Sequence, residues 1–237
     1  MDTIREKLYQ KSQIINKVLI RNGYLLFSYI KIRALVLFLL SVLLIIVAKN
    51  SQLDGLSSVL YGVESELERK SFPMMWLFIL IVPILIIGNA QEILLKKDYP
   101  IISRSSLTTY FFTTIYLSFL LDLVFFIVLI VANQFNIKQP IFFSYVFLFT
   151  LVVLITFQII SSIIGDSFLM MLLFIILITV NIYFPYSSII DGTMLIRFDS
   201  RMVFINSLGL IIILIIVSSW GLNHMKKIDF INRGGLK

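Results

Sequence analysis

The chain of 237 residues has no cysteine and one histidine, His224. The first absence excludes disulfides, thiolate chemistry and Cys-based metal sites together. The second removes the paired imidazoles that an intramembrane metalloprotease, a Ser/His mechanism or a bundle haem needs, and leaves His224 as a solvated interfacial residue. None of the ten glycines opens a Gly-x4-Gly-Lys-Ser/Thr loop, so this chain does not bind ATP by a P-loop. Charge is scarce as well, at 14% of residues. With so few charges, no soluble domain of ordinary size is left room.

What remains is apolar. Hydrophobic residues make up 59% of the chain, 21 of them phenylalanine, and the mean hydropathy is +0.99. The class is therefore an all-α polytopic membrane protein. Charge-free runs set six spans at about 29–49, 72–90, 109–133, 141–164, 168–186 and 202–222. Seven Lys/Arg in the first 33 residues make a region far longer than the charged start of a secretory signal. There Ile4, Leu8, Ile15, Leu19 and Leu26 recur at helical spacing opposite Arg5, Lys7, Lys11, Lys17 and Arg21, so 1–28 reads as a basic amphipathic helix at an anionic leaflet, with Gly23 the place to turn into the bilayer. A second amphipathic pattern, Leu53, Leu56, Leu60, Val63 and Leu67 among Glu64, Glu66 and Glu68, predicts a short helix within 50–70 on the opposite surface. Trp76 and Trp220 read as interface residues, Pro83 as a bend, and Asp166 or Ser167 as the cap of span five.

The net charge of +7 bears on orientation in such a chain, and no nucleic-acid partner is implied. Fourteen of the twenty Lys and Arg fall in the N-terminal segment, in 91–108 (Lys96, Lys97, Arg104) and in the tail. The other side has Lys49, Arg69, Lys70, Lys138, Arg197 and Arg201. The positive-inside rule puts both termini and Gln91–Thr108 in the cytoplasm. That segment is the one substantial charged interruption between Ser71 and Ile137. Its Lys96, Lys97 and Arg104 can anchor at the inner leaflet and meet acidic groups on a soluble partner, while Ile101, Ile102 and Leu107 offer an apolar face.

Asp122 is the one ionisable group well inside a span, at a cost of roughly 2.5–3.5 kcal/mol on insertion scales. It reads either as a proton, cation or substrate contact on a translocation path, or as a structural hydrogen bond to another span, with Gln158 and Asn181 as partners, or a neutral carboxyl. The structural reading leads, because no intramembrane Lys, Arg or His completes a relay. The phenylalanine-rich faces pack between helices or face lipid in preference to lining a path.

A basic N-terminal helix, six spans and a cytoplasmic loop bearing Glu92 and then Tyr99-Pro100-Ile101-Ile102-Ser103-Arg104 together resemble the membrane subunits of ABC-2 type exporters. The resemblance implies that Pro100–Ser106 is a coupling helix seated in a P-loop ATPase subunit. Glu92, Lys96, Lys97, Tyr99, Pro100, Ile101, Ile102 and Arg104 are then the coupling residues. ATP and Mg²⁺ would sit on that partner and no cofactor on this non-catalytic chain, which would pair with a second copy or a homologous permease in a bacterial cytoplasmic membrane. Ser187–Arg201 would form short helices dipping into the outer leaflet. A short chain without a large extracellular domain favours peptide or lipid-like cargo, as in bacteriocin export and self-protection. Two rivals are a stand-alone immunity protein against a membrane-active peptide and a secondary transporter; the latter is disfavoured by the single intramembrane charge and the absence of an inverted repeat.

Overall fold

The computed structural model describes residues 2–49, 55–63, 73–90, 92–94, 107–184 and 187–227. Its helices are α1 (Asp2–Ala48), α2 (Gly55–Val59), α3 (Met74–Ile87), α4 (Leu107–Ala132), α5 (Pro140–Ile164), α6 (Ser167–Tyr183), α7 (Ser188–Asp191) and α8 (Val203–Lys227), with a 3-10 turn at Leu195–Arg197. No strand occurs among the described residues. Five helical stretches are long and apolar enough to cross a membrane: Ile15–Ala48, Met74–Leu94, Leu107–Ala132, Pro140–Ile164 and Val203–His224. Helix α6 is equally apolar but has only 17 residues. The chain has the architecture of a helical multi-pass membrane protein.

A helix that is apolar all round belongs either in a core or in lipid, and this fold uses both options. Helix α3 has no polar side chain between Met74 and Ile87, and nine of its 14 residues are buried, Trp76, Ile79, Leu80, Ile84, Ile86 and Ile87 among them. Helix α5 is the other central element, buried along most of its length and packed chiefly on α8. Helix α8 is nearly as apolar yet only 11% buried. Its Phe204, Ile205, Ile212, Ile215 and Ile216 point outward, as do Ile32, Leu35, Leu39, Leu43 and Val47 of α1. A continuous apolar perimeter of this extent is stable only against hydrocarbon or another apolar surface. Close approach across the α5–α8 seam is allowed by Gly221, where a Cβ would collide with Ile159.

Three expectations are corrected. Helix α1 does not turn at Gly23; it is one helix of 47 residues. A buried stripe, Val18, Asn22, Leu26 and Ile30, then Ser41, Ile45 and Ala48, advances by three or four residues within each group and packs the helix against the bundle, mainly along α4. Gly23 lies beside Leu117 of α4, where a Cβ would make an ordinary contact at 3.5 Å. Of the expected helix within 50–70, only the five residues Gly55–Val59 are helical among the described ones; Leu53, Glu64, Glu66, Leu67 and Glu68 lie outside them. Trp76 is no interface residue: it is fully buried. Helix α3 continues through Pro83. Asp166 caps α6 as expected, accepting from Leu169 N at 2.9 Å. Trp220 is 47% exposed and stacks on His224.

Helices α1, α4 and α6 finish where α3, α5 and α8 begin, and this end is closed by the segments 55–63 and 187–201. The backbone N–H groups of Leu195 and Ile196 donate to the carbonyls of Leu60 and Tyr61 at 2.9 and 3.0 Å. Asn133 Oδ1 accepts from Leu56 N at 3.1 Å, and Lys49 Nζ donates to Gln134 Oε1 at 2.7 Å. Gly62 is required here, since its φ is +82° and a Cβ would lie 2.6 Å from Met194 Cβ. Gly62→Ala combines left-handed strain with overpacking and is expected to lower stability by ~2 kcal/mol or more. Gly165→Ala, at φ +78° in open space, meets only the backbone strain. Thermal unfolding in detergent should rank Gly62→Ala clearly below Gly165→Ala.

Candidate functional site

The capped end gathers most of the polar chemistry. The turn from α6 into α7 brings Asn181 beside Asp191, and the 3-10 turn swings Arg197 back onto the same carboxylate. Arg197 NH1 meets Asp191 Oδ1 at 2.8 Å, with the two side chains 10% and 19% exposed. Two further donors of the guanidinium are engaged, Nε with Val63 O at 2.8 Å and NH2 with Ile182 O at 3.3 Å. Asn181 Nδ2 donates to Asp191 Oδ1 at 3.0 Å, and Asn181 Oδ1 accepts from Ser187 N at 2.9 Å. One side chain thus joins three chain segments, which a planar fork of donors suits and an ammonium does not.

Around this hub the short helices are pinned to the bundle. Trp76 Nε1 reaches Thr193 O at 3.0 Å and its Oγ1 at 3.2 Å. Tyr145 of α5 donates its hydroxyl to Ile189 O at 2.7 Å. Asn206 of α8 accepts from Ser188 Oγ and donates to Ser188 O, both at 3.0 Å. Between these anchors lies a cavity of about 300 Å³ whose wall includes Tyr145, Ser188, Asp191, Arg197, Phe198, Asp199 and Asn206.

A second polar feature lies within the bundle. Tyr110, Thr114, Ser118 and Asp122 repeat every four residues along α4, facing Thr150, Gln158 and Ser162 at the same phase of α5. Asp122 is fully buried, and Thr150 Oγ1 donates to its Oδ2 at 3.1 Å. Its Oδ1 has no partner among the described residues. The expected partners Gln158 and Asn181 are corrected: Gln158 accepts from Ser118, one turn away, and Asn181 belongs to the Asp191 hub at the capped end. Beside the seam, Tyr110, Thr114, Gln158 and Ser162 border a cavity of about 10 Å³, the size of one water.

At the opposite end Glu92 is half-buried, and its Oε2 accepts from Ser167 Oγ at 3.3 Å. Lys96, Lys97, Tyr99, Pro100, Ile101, Ile102 and Arg104 lie outside the described residues. Glu92 and Asp122 are therefore far apart in role as well as in place: one ties the α3 side to the start of α6, the other ties α4 to α5. Among the described residues no group of three or more His, Asp or Glu side chains could hold a metal ion.

Sequence reasoning singled out Asp122 and passed over Asp191, Arg197, Asn181 and Trp76 as a unit. The available signal was one acid and one arginine six residues apart in a connection between two long apolar runs, where each charge needs a partner. No family model, curated protein or solved structure matches the chain.

Removing Arg197 leaves Asp191 with Asn181 Nδ2 as its donor but without its counter-charge, and takes the guanidinium from two carbonyls. Arg197→Ala is expected to cost about 3 kcal/mol, and the double change with Asp191→Ala to restore part of it. Thr150→Val should cost ~1–3 kcal/mol by stranding both Asp122 oxygens, with Asp122→Leu added to it recovering stability. Both cycles are read as unfolding midpoints of the purified protein.

Proposed function

We propose that this chain is the membrane subunit of an ATP-driven exporter of the ABC-2 type, moving an amphipathic or hydrophobic peptide or lipid-like substrate. The observation that carries the reading is the connection between α6 and α8. It turns inward as two short helical pieces and seals one end of the bundle, as the resemblance to that family implies for the outer side. In this reading α6 is the fifth of six spans; at 17 residues it covers ~26 Å of helix, and its flanking polar groups make up the remaining thickness.

The charge count then orients the bundle. The capped end faces outward, and both termini with the basic segment 91–108 face the cytoplasm. Force enters there. A soluble P-loop ATPase docks on Ile101 and Ile102 through apolar contact and on Lys96, Lys97 and Arg104 through charge, with Tyr99 and Pro100 shaping the segment. Glu92, hydrogen-bonded to Ser167, links the root of that segment to the start of α6, so a push on 91–108 reaches the helix that leads into the cap. The chain supplies no catalytic group. ATP and Mg²⁺ belong to the partner, and a second copy or a homologous permease completes the pathway along the exposed apolar faces. Asp122 is a hydrogen-bonding strut between α4 and α5.

Co-purification from the native membrane tests this. A P-loop ATPase should accompany the wild-type chain and be lost with Ile101→Asp combined with Arg104→Glu, while peptide-stimulated ATP hydrolysis should require the wild-type chain. Retention of the ATPase by the double variant, or a pure chain that protects cells with no ATPase present, overturns the reading. Asp122→Asn is expected to leave transport undiminished at every pH; a loss that varies with pH would make the residue a proton site.

A further inference from the structure

The cavity at the capped end does not stop at its polar wall. A second cavity of about 360 Å³ adjoins it, lined by Pro140, Ile141, Ser144, Leu148 and Ser207, and the two share Tyr145 and Val203. The second runs down the first two turns of α5, some ~12 Å of helix, on the side where Ile141 is 62% exposed. The pair is thus one cleft, polar at the rim of the bundle and apolar along its outer flank. Its two halves differ in chemistry over the length of an amphiphile's head and upper chain.

The charge of the polar half selects the head. Arg197 and Asp191 neutralise each other, and the arginine also donates from Nε to Val63 O and from NH2 to Ile182 O. Both bonds to Asp191 fall on Oδ1, leaving Oδ2 without a protein partner among the described residues. Asp199 is exposed, and its carboxylate accepts only from Arg201 N, at 2.8 Å, among the described residues. The wall therefore keeps acceptor capacity and, at Asp199, a carboxylate in no ion pair among the described residues, beside the rings of Tyr145 and Phe198, which lie 6.4 Å apart. Carboxylate oxygens and aromatic faces together suit a compact cation with several N–H donors.

We infer that this cleft holds a membrane lipid with a primary ammonium headgroup, its head against Asp199 and Asp191 and its upper acyl chain between α5 and α8 at Val203 and Leu148. A lipid is favoured over a soluble cation because the apolar half opens on the hydrocarbon-facing flank. The inference goes beyond export and does not depend on ATPase coupling. A lipid wedged between α5 and α8 and touching the 187–201 connection ties the cap to the surrounding leaflet.

The test uses the full chain in nanodiscs of equal phosphatidylethanolamine and phosphatidylglycerol with identical acyl chains, and measures retained lipid by native mass spectrometry. Wild type should retain the ethanolamine lipid about fivefold over the glycerol lipid, equivalent to ~1 kcal/mol. Asp199→Asn keeps an acceptor for Arg201 N and removes the charge, so it should abolish the preference while the protein stays folded. Val203→Phe fills the apolar half and should reduce retention of both lipids. Equal retention of the two lipids by wild type, or an unchanged preference in both variants, overturns the inference. So does retention of added dodecylammonium, a single-chain cation, with none of the ethanolamine lipid. Loss of ATPase co-purification leaves this readout untouched, so the two readings fail separately.

Discussion

Arg197 donates to a carboxylate on its own connection, to the carbonyl of Val63 and to the carbonyl of Ile182, and the closed end of the bundle depends on that triple attachment. Irregular backbone next to hydrocarbon must find its hydrogen bonds within the protein, because no water is there to supply them. The segments 60–63 and 187–201 meet this demand jointly, through Leu195 and Ile196 bonding to Leu60 and Tyr61 and through the guanidinium at their junction. Trp76 adds an anchor from α3, one of the two central helices, so the cap is tied to the core as well as to the neighbouring connection. Two stretches that are short and weakly structured alone become one rigid lid when paired.

Deeper in the bundle the forces differ. Apolar side chains gain little by leaving lipid for protein, so the helices are held by close packing and by a few internal polar contacts. The α4–α5 seam of Asp122 with Thr150 and Ser118 with Gln158 is of this kind, as is the backbone approach at Gly221. These contacts also set which helices are central. Helices α3 and α5 lie inside, while α1, α4 and α8 turn wide apolar faces outward. The outward faces are available to lipid and to a partner chain alike. At the cleft between α5 and α8 such a face meets the polar cap.

Beyond the first, the long apolar helices were legible to within a few residues, since a long apolar run bounded by charge has few alternatives. The cap of α6 by Asp166 was legible for the same local reason: an Asx residue after Gly165 meets a helix start. Gly23 misled because a glycine in a basic helix suggests a turn. The buried stripe that keeps α1 continuous runs through Val18, Asn22 and Ile30, which a search for an apolar face against the lysines does not isolate. Trp76 misled because tryptophan near the end of a span usually marks an interface; whether a short helix lies on top of it is invisible in its own segment. Asp122 announced that it needed a partner, yet Thr150 was one hydroxyl among many.

The sequence by itself determined a helical multi-pass membrane protein, the long apolar runs that become its helices, and the uneven distribution of positive charge, because these follow from the cost of placing polar groups in hydrocarbon. Only the tertiary structure decided which apolar helices are central, which hydroxyl serves Asp122, and that Asp191, Asn181, Arg197 and Val63 form one hub. Those outcomes rest on pairings between residues up to 134 apart in the chain, and periodicity within a segment carries no record of what the segment meets.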